Sequence, residues 1–161
     1  MKKMISLLLA ATACVLALAG CGGSSSTAAV YNLTDIVAAV ETANPVSNPR
    51  DVDDNFIQLD MLLTADNIAE YAGKVSNDQG NSALIVAVKA NEGKAADVQA
   101  EMEAYKTSIS TGGLYAEFAD MEAMAKDARI VVKGDYVVMV VANTSGADYA
   151  QIDTALNEAL K

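Results

Sequence analysis

Few residues in this 161-residue chain are equipped for chemistry, and the best placed of them is Cys21. Its thiol is a nucleophile of the kind that lipid attachment needs. Just before it stand Ala19 and Gly20, small enough for a peptidase cleft, and Leu18 near the end of an apolar run. DVDDN (Asp51 to Asn55) is a second candidate, with Asp51, Asp53 and Asn55 at the first, third and fifth positions of a calcium loop. Such a loop needs Gly at its sixth position and a bidentate Glu at its twelfth. Here those positions are Phe56 and Leu62, so DVDDN reads as a solvated acidic loop and no metal site is assigned. SISTGG (Ser108 to Gly113) sets hydroxyls beside paired glycines, but a helix precedes it where a phosphate loop would have a strand. Its glycines read as a helix stop. Lys106 stands two residues from Ser108, and side chains two apart on a helix do not face each other. The chain has no histidine, which removes Ser-His and Cys-His machinery and the commonest general base. With no tryptophan and 5% aromatics, a stacking platform for sugars or bases is poorly supplied. These absences argue against an enzyme, and nothing calls for a cofactor.

The start of the chain explains Cys21. Lys2 and Lys3 give a positive start, and Met4 to Ala19 follows without a charge. That is the layout of a secretory leader, and it is short for a membrane span, which needs about 20 apolar residues. The stretch Leu18-Ala19-Gly20-Cys21 resembles the lipobox of bacterial lipoproteins. The resemblance implies a diacylglyceryl group on Cys21, cleavage between Gly20 and Cys21, and a membrane as the first partner. Two acyl chains suffice for stable anchoring. The expected divisions are a leader over 1–20, a flexible Gly/Ser tether over 21–31, and one domain over 32–161 on the outer face of the cell membrane. Cys14 leaves with the leader, so no disulfide remains to build. Losing Lys2 and Lys3 takes the formal net charge from −10 to −12. Such a surface repels phosphate, so no nucleic acid partner is expected.

The remaining residues suit one modest core. Leu33, Ile36, Val37 and Val40 recur at helical spacing after Asn32, and Asn44-Pro45 ends that helix. Thr64 reads as the N-cap of a second short helix reaching Tyr71, with an edge strand over Lys74 to Asn77. FIQLDMLL is compatible with helix or strand. ALIVAVKA (83–90) reads as a buried strand, and Lys94 to Ser110 as a helix striped by Val98, Met102, Tyr105 and Ile109. A weaker helix covers Tyr115 to Lys126. ARIVVKGDYVVMVVAN is a hairpin turning at Gly134-Asp135. Ser145 with Asp148 reads as a capping box for a last helix striped by Tyr149, Ile152, Leu156 and Leu160. The expected fold is α+β: two N-terminal helices, then β-β-α-β-β-α, with an antiparallel sheet of about four strands.

The lipobox with its spacer, the block ALIVAVKANEGKAADVQAEMEAYKTS and the ending ARIVVKGDYVVMVVAN resemble a family of small lipoproteins of Gram-positive anaerobes, known as domain of unknown function 4358. The resemblance spans roughly residues 33 to 161. It implies an extracytoplasmic lipoprotein and carries no catalytic residue across.

One feature shapes the functional expectation. In the last strand Val137, Met139 and Val141 face one way, while Tyr136, Val138, Val140 and Ala142 face the other, so both faces are apolar. Either this chain's own helices cover both sides, or one face is buried against a partner or ligand. The reading carried forward is a non-catalytic interaction module that binds a protein partner, or a second copy, through a sheet face or edge. Val137, Met139 and Val141 are its candidate face. The alternative is a small-ligand carrier or sensor with a pocket between sheet and N-terminal helices, lined by Tyr71, Tyr105 and Tyr115, in a chain with little room for a large cavity.

Overall fold

A computed structural model describes residues 29–111, 115–145 and 148–161. The leader, Gly20, Cys21 and the Gly112-Gly113 helix stop lie outside them. No helix among the described residues is long and apolar enough to cross a membrane.

Helix α1 spans Leu33–Ala43, and Leu33, Ile36, Val37 and Val40 are its buried stripe. Asn32 caps it, the side-chain oxygen accepting from the Asp35 N–H at 3.1 Å. Asn44, fully buried, closes it. Its side chain donates to the Val141 carbonyl at 3.0 Å and accepts from the Asn143 N–H at 2.8 Å, so it extends the hydrogen bonding of the last strand as a neighbouring backbone would. That use satisfies a polar group that would otherwise cost about 1–3 kcal/mol to bury.

The sheet has five strands, all antiparallel: β1 (Pro49–Asp51), β2 (Ile68–Ser76), β3 (Leu84–Ala90), β4 (Arg129–Lys133) and β5 (Tyr136–Val141), in the order β1-β2-β3-β5-β4. The α+β class stands, and about four strands becomes five. The added strand, β1, begins with Pro49, which has no N–H to give and fits the first position of an edge strand. The helix expected from Thr64 to Tyr71 is absent. A single 3-10 turn over Ala65–Asn67 leads straight into β2. Local preference favoured helix there, and the ladder to β3, from Ile68 opposite Ala90 to Val75 opposite Leu84, overrides it. Gly134, at φ 59°, makes the expected hairpin turn.

Four α-helices among the described residues flank the sheet, the others being α2 (Ala95–Ile109), α3 (Ala119–Lys126) and α4 (Tyr149–Ala159). Asp148, not Ser145, caps α4, accepting from the Ala150 N–H at 2.8 Å. Each face of the sheet has its own core. On one, Val86, Val88, Val137, Met139 and Val141 pack with Val98 and Met102 of α2, Ala125 of α3, and Phe56, Ile57, Met61 and Leu63 of the β1–β2 connection. On the other, Ile85, Ala87, Val138 and Val140 pack with α1 and with Ile152 and Leu156 of α4. This corrects the candidate interaction face. Val137, Met139 and Val141 are 0% exposed, covered by this chain's own segments, and no partner can reach them in the folded domain.

Tyr31, assigned to the tether, already belongs to the domain. Its ring packs edge-on against Tyr136 with centroids 5.1 Å apart, and its hydroxyl donates to the Leu160 carbonyl at 3.0 Å.

Candidate functional site

The sheet is paired along every strand except at its borders, and one border is hollow. β1 covers only Lys74 to Ser76 of β2. The Val52 N–H still reaches the Gly73 carbonyl at 3.0 Å, and then the chain turns away. In an antiparallel ladder, successive residues aim their N–H and C=O alternately at the two neighbours. Gly73 aims outward, so Ala72 aims at β3 and Tyr71 outward again. From Ile68 to Ala72 the outer edge of β2 therefore has no strand beside it among the described residues.

A cleft of 690 Å³ lies over this edge. Ile68, Glu70, Tyr71 and Ala72 form its floor. One wall is the segment from Val30 to Thr34 that enters α1, on the side of the core shared by α1 and α4. The opposite wall is Asp54, Ile57 and Gln58, on the other core's side. The second wall is held out by a π-helical turn over Phe56–Asp60, a rare conformation. It pins Phe56, Ile57 and Met61 inward and leaves Leu59 and Leu62 in solvent, at 69% and 72% exposure. Leu62 has a φ of 57°, the left-handed region that leucine seldom enters.

The floor and the second wall are tied by one short hydrogen bond. The Tyr71 hydroxyl donates to Asp54 Oδ1 at 2.6 Å. That bond, with partial burial and the charges of Asp54 and Asp53, pushes the Tyr71 phenol up to about 12. Asp53 itself accepts from the Phe56 N–H at 2.9 Å and so starts the turn. Asp54 and Glu70 line the cleft, and no lysine or arginine does among the described residues. Two nearby cations are engaged elsewhere, Lys74 with Glu41 at 2.7 Å and Arg50 near Asp60 and over the Phe56 ring, while Lys89 stands opposite Glu70 on β3.

Residues 42–142 match the family described as Domain of unknown function (DUF4358), a span that takes in all five strands, α2 and α3. The chain belongs to this family. No curated protein and no solved structure matches the chain. In this DUF4358 member the family match includes the floor of the cleft and the Asp54–Gln58 wall, while the Val30–Thr34 wall lies before it.

The other residues singled out from the sequence scatter over the domain. Asp51 ends β1, and among the described residues no three acidic groups converge as metal ligands. The Lys106 ammonium donates to the Ala128 carbonyl at 2.9 Å and Ser108 to the Tyr105 carbonyl at 2.7 Å, each occupied by main chain. The three tyrosines do not share a pocket. Tyr71 lines the cleft, Tyr105 stacks edge-on with Phe56 at 6.2 Å in the core under α2, and Tyr115 is 66% exposed beside Phe118. A second depression, of 440 Å³, is lined by residues of α2 and α3 together with Val75, Asn81 and Ser82. The sequence carried no sign of the cleft, because its floor and walls come from three segments far apart along the chain.

Proposed function

We propose that this protein is a lipid-anchored, extracytoplasmic binding module without catalytic activity. Cys21, exposed by cleavage behind Gly20, carries the diacylglyceryl group, and the tether holds the domain on the outer face of the cell membrane. The cleft over β2 is the binding site, and a protein partner is its occupant. One observation supports this: an unpaired strand edge at the bottom of a walled cleft, in a sheet whose faces are otherwise closed. A strand edge is a template for another extended chain. A homodimer through the faces is no longer part of the reading, since both are core, and two cleaved copies of formal charge −12 repel.

The small-ligand reading gains one favourable observation. The cleft volume falls in the range of roughly 300–1,000 Å³ typical of small-molecule sites. A chain this short does hold a sizeable hollow, contrary to the expectation from its length.

A photo-crosslinking amino acid placed at Gln58 or Thr34 in living cells tests the site. Both side chains are exposed on the cleft walls. Adducts at these positions, and none from the same probe at Asp120 on α3, are the expected result. Silence at both walls, or equal labelling at Asp120, would remove the cleft as the binding site.

A further inference from the structure

We infer that the occupant of the cleft is an extended, basic segment of a partner protein, which adds to the sheet as a sixth strand along Ile68–Ala72. This rests on the cleft being the binding site. Three observations carry it.

The first is the backbone. Tyr71 presents an N–H and a C=O outward with no partner strand, in line with the bonds that β1 makes one step further on, where Val52 meets Gly73. Strand addition answers that pattern directly, main chain to main chain. The incoming segment takes up the line that β1 leaves at Val52. The second is shape. An added strand lies about 4.8 Å from β2, and its side chains alternate between the two faces. The cleft has a wall on each face, and its accessible apolar surface comes from Val30 and Ala72 on one and from the Tyr71 ring on the other, over the buried Leu33 and Ile57. Alternate side chains therefore each find apolar surface. The third is charge. Asp54 and Glu70 line the cleft and no cation does; Lys89 stands opposite Glu70 on β3 but is outside the cleft lining and makes no ion pair with it among the described residues. A lysine or arginine on the incoming strand balances them. The protein's own tether, Gly22 to Ala29, is uncharged, and a second copy is acidic, so neither offers this complement.

The test is selection of random heptapeptides against the full chain purified in detergent. The expected outcome is enrichment of peptides that alternate apolar residues and carry Lys or Arg. Their affinity should fall about two- to fivefold in the Glu70→Gln variant, the size of an exposed ion pair, and should fall further with added salt. N-methylation should abolish binding at every second peptide amide and leave it intact at those between. Hydrogen exchange at the Tyr71 amide should slow in the complex. Neutral or acidic winners, indifference to N-methylation, an unchanged Tyr71 amide, or no enrichment at all would each overturn the inference. The crosslinks from Gln58 and Thr34 separate the two levels. A small molecule captured there keeps the cleft as the site and refutes the strand, whereas silence there ends both.

Discussion

At the residue scale, Tyr71 and Tyr105 have the same displaced acidity for different reasons. Tyr71 donates a short hydrogen bond to Asp54 beside a second carboxylate, and the phenol moves from 10.0 to about 12. Tyr105 moves as far chiefly because it is buried, with Asp60 adding to the shift and Arg50 opposing it. Both folded values lie above the unfolded one, so the folded state prefers the neutral phenol. The resulting stabilisation is complete below about pH 10 and is lost as pH rises from 10 toward 12. Ultraviolet titration of the folded protein should show these two phenols ionising late. In Asp54→Asn, Tyr71 should ionise earlier and Tyr105 should not. Joint movement of both would mean that the Asp54 contact is not the cause. Gly73 is set by contact. A Cβ there would lie 2.5 Å from the Ile85 carbonyl oxygen and 3.0 Å from a Val52 methyl. Gly73→Ala should therefore cost about 1–3 kcal/mol in chemical denaturation, through a forced shift of backbone. A loss below about 0.5 kcal/mol would show that the strands part easily at this point. None of these contacts was legible in the sequence, because each joins residues distant along the chain. The Asn32 cap was legible, because its partner is three residues away.

At the element scale, legibility follows the reach of the deciding interaction. α1, α2, β3 and the β4–β5 hairpin were readable because periodicity or a turn residue specifies them locally. The start of β2 departs from the expected helix because Thr64 to Tyr71 favours helix locally while Tyr71, Gly73 and Val75 meet β3 across a turn. β1 was invisible, being a proline and two charged residues that are a strand only because β2 lies beside them. β5 reads as buried from sequence alone, but what buries it does not. All six of its residues are enclosed, one set under α2 and α3, the other under α1 and α4. Val137→Lys should consequently prevent folding, with a loss of more than about 4 kcal/mol expected for an unpaired buried charge. Val132→Lys, at a 39% exposed position of border strand β4, should leave a folded domain. Circular dichroism of both separates the cases. A folded Val137→Lys protein would reopen that face as a surface. β4 is a border strand as well, but Arg129 and Lys133 flank it, as charges often guard a free edge. The border at β2 has walls in place of such a guard.

For the whole molecule, the architecture is a sheet between two cores, with a cleft at one border. The proposed attachment through Cys21 belongs to this scale. Cys21→Ser should leave an uncleaved precursor and abolish the processed, membrane-bound form, as read by fractionation and by the mass of the mature chain. A fully processed, membrane-bound Cys21→Ser protein would refute the anchor. The ends of the domain supply one more consequence. Tyr31 bonds to the carbonyls of Leu160 and Lys161, at 3.0 and 3.2 Å, so both ends of the domain emerge at one spot. Fluorophores attached at Val30 and Lys161 would sit within near-complete energy-transfer range in the native state and separate as α1 or α4 peels away. The end-to-end distance is thus a built-in gauge of unfolding, readable one molecule at a time and without touching the cleft floor.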